Sequence, residues 1–219
     1  MIPTILLTGF GPFGDNSSNP SQVVCQRAVE IVPEAEYHLH TLVLPVSFRR
    51  CPEMLLDALE CLRPHAVLSL GLAARARRIA IELFAVNMDD ASLPDVDGIC
   101  RQGQPIRPGG PAAYRSTLPN EEMLHAMRRW DVPARLSNHA GTYLCNHCLY
   151  VACDWAAGRC GTSTVGFAHL LPTSGASDGS PGMPIERSVQ AVGWLLDTIA
   201  SHCSTLSAHS QTKETKEQA

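Results

Sequence analysis

A cysteine in the second half of the chain has the surroundings of a reactive thiol. Cys145 lies in the segment 138–148, after a turn that contains Gly141 and at the head of a predicted helix. The positive end of a helix dipole favours an anion, so this thiol should ionise more easily and attack a carbonyl carbon more readily. The N–H of the same residue would face the developing oxyanion. The segment therefore predicts a nucleophilic cysteine.

Two other classes of function would use the same segment. Cys145 and Cys148 form a C-x-x-C pair around His147, and Cys153 and Cys160 follow. Thiol redox exchange needs both sulfur atoms near the start of the helix, which this spacing allows. A zinc site needs a second compact pair of ligands, and Cys153 and Cys160 lack that spacing. We rank both below nucleophilic catalysis, because a C-x-x-C pair arises easily by chance in a cysteine-rich chain.

A nucleophilic cysteine needs a base, and the base needs a group that fixes its orientation. Among the nine histidines, His169 lies near the carboxyl end of a predicted apolar strand. That edge is where open α/β sheets carry their ligands. His139 and His147 are closer to Cys145 along the chain, but closeness in sequence does not bring an imidazole to the thiol. We therefore predict His169 as the base.

Glu82 is the predicted orienting carboxylate. It lies inside the apolar run 79–86, where burying an ionised side chain is costly unless the charge has a partner. A glutamate in this setting predicts such a partner, whereas a side chain on the outer face of the strand would need none. Asp89 and Asp90 are weaker alternatives, because the loop that begins there is open to water.

The glycine-rich loop after the first predicted strand lacks the features of a phosphate site. Residues 9–14 match G-x-G-x-x-G, but five residues, 15–19, separate the third glycine from any helix. A phosphate-binding turn needs the helix to begin at that glycine. Pro12 also removes an N–H donor. The loop instead presents Phe10 and Phe13 to a flat, uncharged ligand, unless both rings belong to the core.

The elements that must position these residues alternate between apolar strands and amphipathic helices. Strands are predicted at 4–8, 37–46, 66–70, 79–88, 134–137 and 164–171. Helices are predicted at 20–31, 48–62, 120–130, 145–157 and 184–202. Asn19 and Asn120 are the predicted caps of the first and third helices, and Pro20 lies in the first turn of the first.

This alternation predicts a single-domain open α/β/α sandwich with a mostly parallel twisted sheet. The domain is predicted to span 1–203, and the polar residues 204–219 are predicted to form a disordered tail. Two loops rich in glycine, proline and serine, 89–119 and 174–183, interrupt the pattern. The first, of about 30 residues, is longer than structureless loops usually run, and such loops are often functional.

The composition excludes several classes of protein. A net charge of -4 over 219 residues provides no broad positive field, so we predict no nucleic-acid partner. The chain has no basic leader and no run of about 18 apolar residues, so we predict no membrane partner and a cytoplasmic location. The nine cysteines, odd in number and irregularly spaced, fit reduced thiols in that compartment.

Taken together, these segments resemble the pyrrolidone carboxyl peptidase (pyroglutamyl peptidase I) family, cysteine peptidases that remove an N-terminal pyroglutamate. The resemblance extends from about Thr4 to about Ala200. Its most specific parts are Thr-Gly-Phe-Gly-Pro-Phe-Gly at 8–14 with Asn19 and Pro20, the stretch 82–90, Ser-Asn-His-Ala-Gly-Thr-Tyr-Leu-Cys-Asn at 137–146, and Gly-Phe-Ala-His at 166–169.

The resemblance implies an omega-peptidase that works by thioester acyl transfer. It implies Cys145 as the nucleophile, His169 as the base and Glu82 as the residue that orients His169. It implies no metal and no organic cofactor, and a homo-oligomer, either a dimer or a tetramer. The residues implied for binding the lactam ring are Phe10, Phe13, Asn19, Thr142 and Tyr143. Pyroglutamate carries no ammonium group, so we expect an apolar pocket with a few neutral hydrogen-bonding groups.

The chain departs from the family pattern near the expected site. Where the family has Gly-Gln-Ala-Gly-Gly-Arg, residues 71–76 read Gly-Leu-Ala-Ala-Arg-Ala, so Leu72, Ala74 and Arg75 are unusual. Ser92 replaces an arginine that is usual after Asp-Asp-Ala. The predicted triad is unaffected by these changes. They leave two alternatives open: a relative with altered specificity, or a relative that only binds lactam-capped peptides.

Overall fold

Ten strands and five helices occur in the residues that the computed structural model describes, which are 2–14, 18–32, 36–159, 163–174 and 182–217. The strands are β1 (Thr4–Phe10), β2 (His38–Leu44), β3 (Ala66–Leu72), β4 (Ile79–Glu82), β5 (Phe84–Val86), β6 (Asp89–Ala91), β7 (Arg101–Gln104), β8 (Ala113–Arg115), β9 (Ala134–Ser137) and β10 (Thr164–Leu170). The helices are α1 (Pro20–Arg27), α2 (Arg50–Leu62), α3 (Asn120–Arg129), α4 (Leu144–Ala157) and α5 (Ile185–Glu217).

Six strands form the central sheet in the order β2-β1-β3-β10-β4-β9. The pairs β1–β2, β1–β3, β3–β10 and β4–β9 are parallel, and only β10–β4 is antiparallel. Strands β1, β3 and β10 are buried along almost their whole length, as expected for a sheet that is covered on both faces. The carboxyl ends of β1, β2, β3 and β10 therefore meet at one edge of the sheet.

Helices cover both faces of this sheet, and each layer encloses its own apolar cluster. Residues of α2 and α4 pack on one face, and residues of α1, α3 and α5 pack on the other. Asn19 caps α1 as predicted, since its Oδ1 accepts a hydrogen bond from Ser21 N at 3.0 Å. Pro20 occupies the first turn, where its missing N–H costs nothing. The predicted sandwich with a mostly parallel sheet agrees with this arrangement.

The predicted strand 79–88 is two strands in two different sheets. Leu83 joins them, because its N–H donates to Ser137 O at 2.7 Å while its carbonyl accepts from Ser116 N at 2.8 Å. Strand β5 then pairs with β8, and β6 pairs with β7, so the predicted loop 89–119 contains parts of two small ribbons. These short strands are mostly polar or exposed, and they pair through their backbones, which leaves little apolar alternation to read in the sequence.

Two helix ends also differ from the prediction. Asn120 lies inside α3, and Pro119 occupies the cap position. Helix α5 continues to Glu217, whereas the sequence predicted its end near 202 and disorder over 204–219. No glycine or proline follows Gly193 to stop the helix, and hydroxyls such as those of Ser201 and Ser204 bond to the carbonyls four residues before them. None of the described helices has the length and apolar character needed to span a membrane.

Candidate active site

Cys145 lies in the first turn of α4. The chain enters this helix through Gly141, whose φ of 81° favours glycine, and through Tyr143, whose backbone is extended at the cap position. The N–H groups in the first turn of a helix have no acceptor within the helix. The N–H of Cys145 is one of these groups, so an oxyanion formed beside the thiol has a donor close by. The thiol itself is partly exposed.

Gly71, near the carboxyl end of β3, makes room for this thiol. A Cβ atom at position 71 would lie 2.8 Å from Cys145 Sγ and 2.8 Å from Phe167 Cζ. Both distances are far shorter than an ordinary van der Waals contact, so a larger residue would displace the sulfur or the ring. The close approach of α4 to the sheet therefore depends on this glycine.

His169 lies near the carboxyl end of β10 and contacts both other members of the predicted triad. Its Nδ1 lies 2.8 Å from Glu82 Oε1, and the ring hydrogen-bonds with the Cys145 thiol. Burial alone would lower the pKa of His169, but the Cys145 sulfur and then the Glu82 carboxylate outweigh burial and raise this pKa to about 10. Both neighbours therefore favour the protonated form of the imidazole.

Glu82 reaches His169 because β4 runs antiparallel to β10. In this register Glu82 is opposite Phe167, so the Glu82 side chain lies one row below His169 on the same face of the sheet. Glu82 is 2% exposed, and its Oε2 has no hydrogen-bond partner among the described residues. A buried carboxylate with one oxygen on a histidine suits the role of fixing the ring orientation.

An apolar cavity of about 360 Å³ opens beside Cys145 at the sheet edge. Its described lining residues include no aspartate, glutamate, lysine, arginine or histidine. Burial raises the pKa of Tyr143, so its hydroxyl stays a neutral donor, and it donates to Pro94 O at 3.1 Å. We call this space the apolar cavity; its lining residues are Phe10, Phe13, Ser18, Asn19, Val46, Leu72, Ala74, Leu93, Tyr143, Leu144 and Cys145.

Four of the five predicted binding residues line the apolar cavity. Phe10 is 3% exposed, and its ring belongs both to the core and to the cavity wall. The core interpretation and the ligand-facing interpretation of this ring are therefore compatible. The ring of Phe13 packs against Tyr143 with centroids 5.6 Å apart. Asn19 lines the cavity too, but its side chain already bonds with Gly11 O and with Ser21. Its main local effect is to cap α1 and to hold the loop that carries Phe13.

Thr142 is not among the residues that line the apolar cavity, contrary to the expectation that it lies near the ligand. Its hydroxyl donates to Asp90 O at 2.7 Å, and its carbonyl accepts from Asp90 N at 2.9 Å. Both contacts turn the residue toward β6, on the loop side of the turn. Thr142 thus ties the segment before Cys145 to the segment that carries Leu93.

Comparison with known proteins identifies the relatives of this arrangement. The profile of the family described as pyroglutamyl peptidase (Peptidase C15) matches residues 3–202. This chain belongs to the pyroglutamyl peptidase family.

Curated relatives of the family cover almost all of the chain. It is 38% identical over 200 residues to the pyrrolidone-carboxylate peptidase of Halalkalibacterium halodurans, which covers 89% of this chain and 98% of the relative. It is 33% identical over 195 residues to the pyrrolidone-carboxylate peptidase of Pyrococcus furiosus, which covers 86% of this chain and 93% of the relative.

Solved structures of the family share the fold. The pyroglutamyl peptidase I structure from Bacillus amyloliquefaciens matches with a TM-score of 0.88 and 28% identity, over 93% of this chain and 97% of that chain. The pyrrolidone carboxyl peptidase structure from Thermococcus litoralis matches with a TM-score of 0.87 and 30% identity, over 93% and 96%. The predicted single-domain α/β fold and the predicted family are therefore confirmed, and the chain is a hydrolase of the cysteine peptidase class.

Two departures from the family pattern lie in the wall of the apolar cavity. Leu72 and Ala74 line it, whereas Arg75 and Ser92 are exposed and do not. Sequence reasoning placed Leu72 and Ala74 beside the expected site, but it did not place Val46 or Leu93 there. Val46 lies just beyond the carboxyl end of β2, and Leu72 ends β3. Ligands bind at this edge in open α/β sheets, so the position of both residues at strand ends was a sequence signal for the cavity wall.

The thiol redox alternative is not favoured by these family matches. Cys148 is fully buried one turn below Cys145, where its thiol contacts Ser69 Oγ at 3.7 Å and hydrogen-bonds with Cys51. Within the described part of the chain, no group of three or more His, Cys, Asp or Glu side chains is placed to hold a metal ion. Cys160, one of the cysteines considered for zinc, lies outside the described residues.

A second histidine–carboxylate pair stabilises the segment around the site. His147 Nδ1 lies 2.9 Å from Asp89 Oδ2, which also accepts from Arg101 Nη1 at 2.9 Å. Asp89, weighed above as an alternative to Glu82, is thus engaged with His147 rather than with His169. Asn146 bonds with the backbone of Val86 on β5. Sequence reasoning missed both links, which tie α4 to β5 and β6.

A second, more polar cavity of about 380 Å³ lies on the other side of the imidazole. It opens toward β9, so we call it the β9 cavity. Its lining residues are Ala73, Ala76, Ala80, Glu82, Arg135, Ser137, Asn138, His139, Ala140, Gly141 and His169.

Proposed function

We propose that this chain releases N-terminal pyroglutamate from peptides, with Cys145 as nucleophile, His169 as acid and base, and Glu82 as the orienting carboxylate. One observation carries the proposal. A hydrogen-bonded chain from the Cys145 thiol through His169 to Glu82 opens directly onto an uncharged cavity. Family membership supplies the reaction class, and the side-chain contacts suggest which groups perform it.

The contacts supply each proton that the reaction needs. The Cys145 thiol gives its proton to His169, and the resulting thiolate attacks the pyroglutamyl carbonyl carbon to form a C–S bond. The N–H groups in the first turn of α4 stabilise the oxyanion. His169 then protonates the leaving amine as the C–N bond breaks. Water attacks the thioester, gives a proton to His169, and releases pyroglutamate together with the thiolate.

The apolar cavity suits the chemistry of the pyroglutamyl lactam. The lactam ring is cyclised and has no ammonium group, so an acidic anchor would gain nothing and would cost desolvation. The rings of Phe10, Phe13 and Tyr143 provide apolar wall, and Asn19 provides a neutral amide. A free N-terminal glutamate carries two charges at neutral pH, and entering this wall would strip water from both. We therefore expect strong discrimination in favour of the cyclised residue.

The test is hydrolysis of a pyroglutamyl-arylamide compared with a glutamyl-arylamide. We expect rapid release of the arylamine from the first substrate only, inhibition by iodoacetamide, and no effect of chelators. Cys145→Ser should abolish turnover with the fold intact. The matched variant Cys148→Ser should retain it, because that buried thiol takes no part in the reaction. Normal turnover by Cys145→Ser would exclude that residue, and lactam binding without hydrolysis by the wild type would favour a relative that only binds.

We also propose that the protein is a cytoplasmic homo-oligomer, either a dimer or a tetramer. The cysteines in the described part of the chain are free thiols, which is typical of a reducing compartment. Leu93, Val96 and Ile99 expose apolar side chains close together in sequence, as a buried contact between copies would require. Light scattering on the purified protein tests the assembly, and cell fractionation tests the location. A monomer at micromolar concentration would contradict the proposed assembly.

A further inference from the structure

The β9 cavity is placed where the leaving half of the substrate must go. In the proposed function, on which this inference rests, the lactam occupies the apolar cavity and its carbonyl carbon meets Cys145. The leaving nitrogen must then lie within reach of His169, which protonates it. The peptide beyond that nitrogen extends away from the apolar cavity, and the β9 cavity is the space that His169 borders on that side.

The sheet register explains why the two cavities flank the triad. His169 is opposite Gly71 on one side and Ala80 on the other, and Ala80 is opposite Arg135. These four residues form one row across β3, β10, β4 and β9, and their side chains lie on the same face. The thiol of Cys145 occupies the space above Gly71. Beyond His169 in this row, the side chain of Ala80 is small, so space remains between His169 and Arg135, and this space is the β9 cavity.

Arginine is frequent in the two segments that border the β9 cavity. The segments 73–78 and 134–141 supply all of its lining residues except Ala80, Glu82 and His169, and the two segments contain no aspartate or glutamate. They contain four exposed arginines, of which Arg135 lines the cavity, whereas Arg75, Arg77 and Arg78 lie in the neighbouring segment and do not line it. Exposed arginines attract carboxylates and repel ammonium groups. Arg75 is one of the departures from the family pattern, so this charge is a property of the chain itself.

Glu82 and His169 form the wall that the β9 cavity shares with the predicted triad. Glu82 Oε1 contacts His169 Nδ1 at 2.8 Å, so a ligand in this cavity lies next to the group that would protonate its nitrogen.

We infer that the β9 cavity is the subsite for the residue that follows pyroglutamate, and that Arg135 makes an acidic residue preferred over a basic one at that position. Arg135 is assigned as a specificity-determining residue, because it lines the cavity in the same row as His169. It does not touch the reacting atoms, so it should affect the choice of peptide without affecting the chemistry of acyl transfer.

The experiment compares two peptides that differ only in the second residue, glutamate or lysine, with pyroglutamate released from each measured by chromatography. We expect kcat/KM to favour the glutamate peptide several-fold, since one exposed charge pair is worth up to about fivefold. Arg135→Ala should reduce the ratio by up to about fivefold, and Arg135→Glu should reverse the preference. Raising the ionic strength should shrink the wild-type ratio, because exposed charges are screened by salt.

Two controls separate this inference from the proposed function. The arylamine of a pyroglutamyl-arylamide carries no charge, so Arg135→Ala and Arg135→Glu should hydrolyse this substrate at the same rate as each other. Arg129→Ala removes the same charge from α3, on the opposite face of the sheet, and should leave the peptide ratio unchanged. If the arylamide is hydrolysed but Arg135→Glu does not change the ratio of kcat/KM between the two peptides, the subsite proposal alone is overturned. Absence of any pyroglutamyl hydrolysis by the wild type overturns the proposed function, and the subsite with it.

Discussion

The space above Gly71 gives a quantitative prediction for catalysis. In Gly71→Ala the new Cβ atom would lie 2.8 Å from Cys145 Sγ, whereas ordinary nonbonded contacts are about 3.5–4.0 Å. The thiol must therefore move by about 1 Å, away from its hydrogen bond with His169. A misplacement of about 1 Å costs about 100-fold in rate. This equals about 2.7 kcal/mol of transition-state stabilisation.

The assay is kcat/KM for a pyroglutamyl-arylamide, measured together with the urea midpoint of unfolding. Gly166→Ala is the matched control, because its new Cβ would lie 2.6 Å from Leu118 Cδ1, in the cluster on the opposite face of the sheet. Both variants should lose about 1–3 kcal/mol of stability through overpacking. Only Gly71→Ala should lose activity per folded molecule. A folded Gly71→Ala enzyme with wild-type kcat/KM would refute the reasoning.

Three buried ionisable groups give further predictions. Glu82→Gln keeps an acceptor for His169 but loses a charged hydrogen bond worth about 1.5–3 kcal/mol, so kcat should fall roughly 10- to 150-fold. The pKa of His169 should fall with it, which moves the alkaline limb of the pH–rate profile to lower pH. The His169 pKa is raised from 6.5 to about 10, so its stabilising contribution is complete below pH 6.5 and is lost as pH rises through about 10. His169→Gln should therefore flatten the alkaline decline in the free energy of unfolding. Asp89→Asn should cost about 3–5 kcal/mol in urea unfolding, because it leaves buried His147 and the Arg101 guanidinium without their anion.

Each of these predictions has a result that contradicts it. For Glu82→Gln it is an unshifted pH profile, which would mean that the carboxylate does not influence the imidazole proton. For His169→Gln it is an unfolding curve with the wild-type pH dependence. For Asp89→Asn the comparison is Asp90→Asn, one residue further on and exposed, which should change stability by no more than about 0.5 kcal/mol. Equal effects at both positions would exclude a special role for the buried pair.

The three members of the proposed triad could be selected from the sequence because each has a local signature. Cys145 follows a glycine turn at a helix start, and that context is written in neighbouring residues. Glu82 is a charge inside an apolar strand, so a partner was expected on energetic grounds alone. His169 was chosen for its place near the end of a strand rather than for its distance in sequence. Each inference used a short stretch of chain and a general physical cost.

The residues that line the apolar cavity were only partly predictable, because not all of them have such a local signature. Phe10 ends β1 and Phe13 lies in the loop after it, and both line the apolar cavity. Thr142 adjoins Cys145 in sequence, but a hydrogen bond to Asp90 draws its hydroxyl away. Leu93 lines the cavity from a segment that carries no sequence signal for it. Which residues complete a wall depends on how loops fold back, and loop paths are set by contacts between distant segments.

The sequence by itself determined most of the local structure: where the helices and the longer strands lie, which thiol lies at a helix N-terminus, and which carboxylate needs a partner. These features follow from hydrogen bonds, caps and apolar periodicity within a few residues. Only the tertiary structure decided that β4 runs antiparallel beside β10, which brings Glu82 to His169 across 87 positions of sequence. It also decided that a small residue, Ala80, opens the β9 cavity next to the imidazole. Such neighbours are selected by the packing of the whole sheet, and no short stretch of sequence records that.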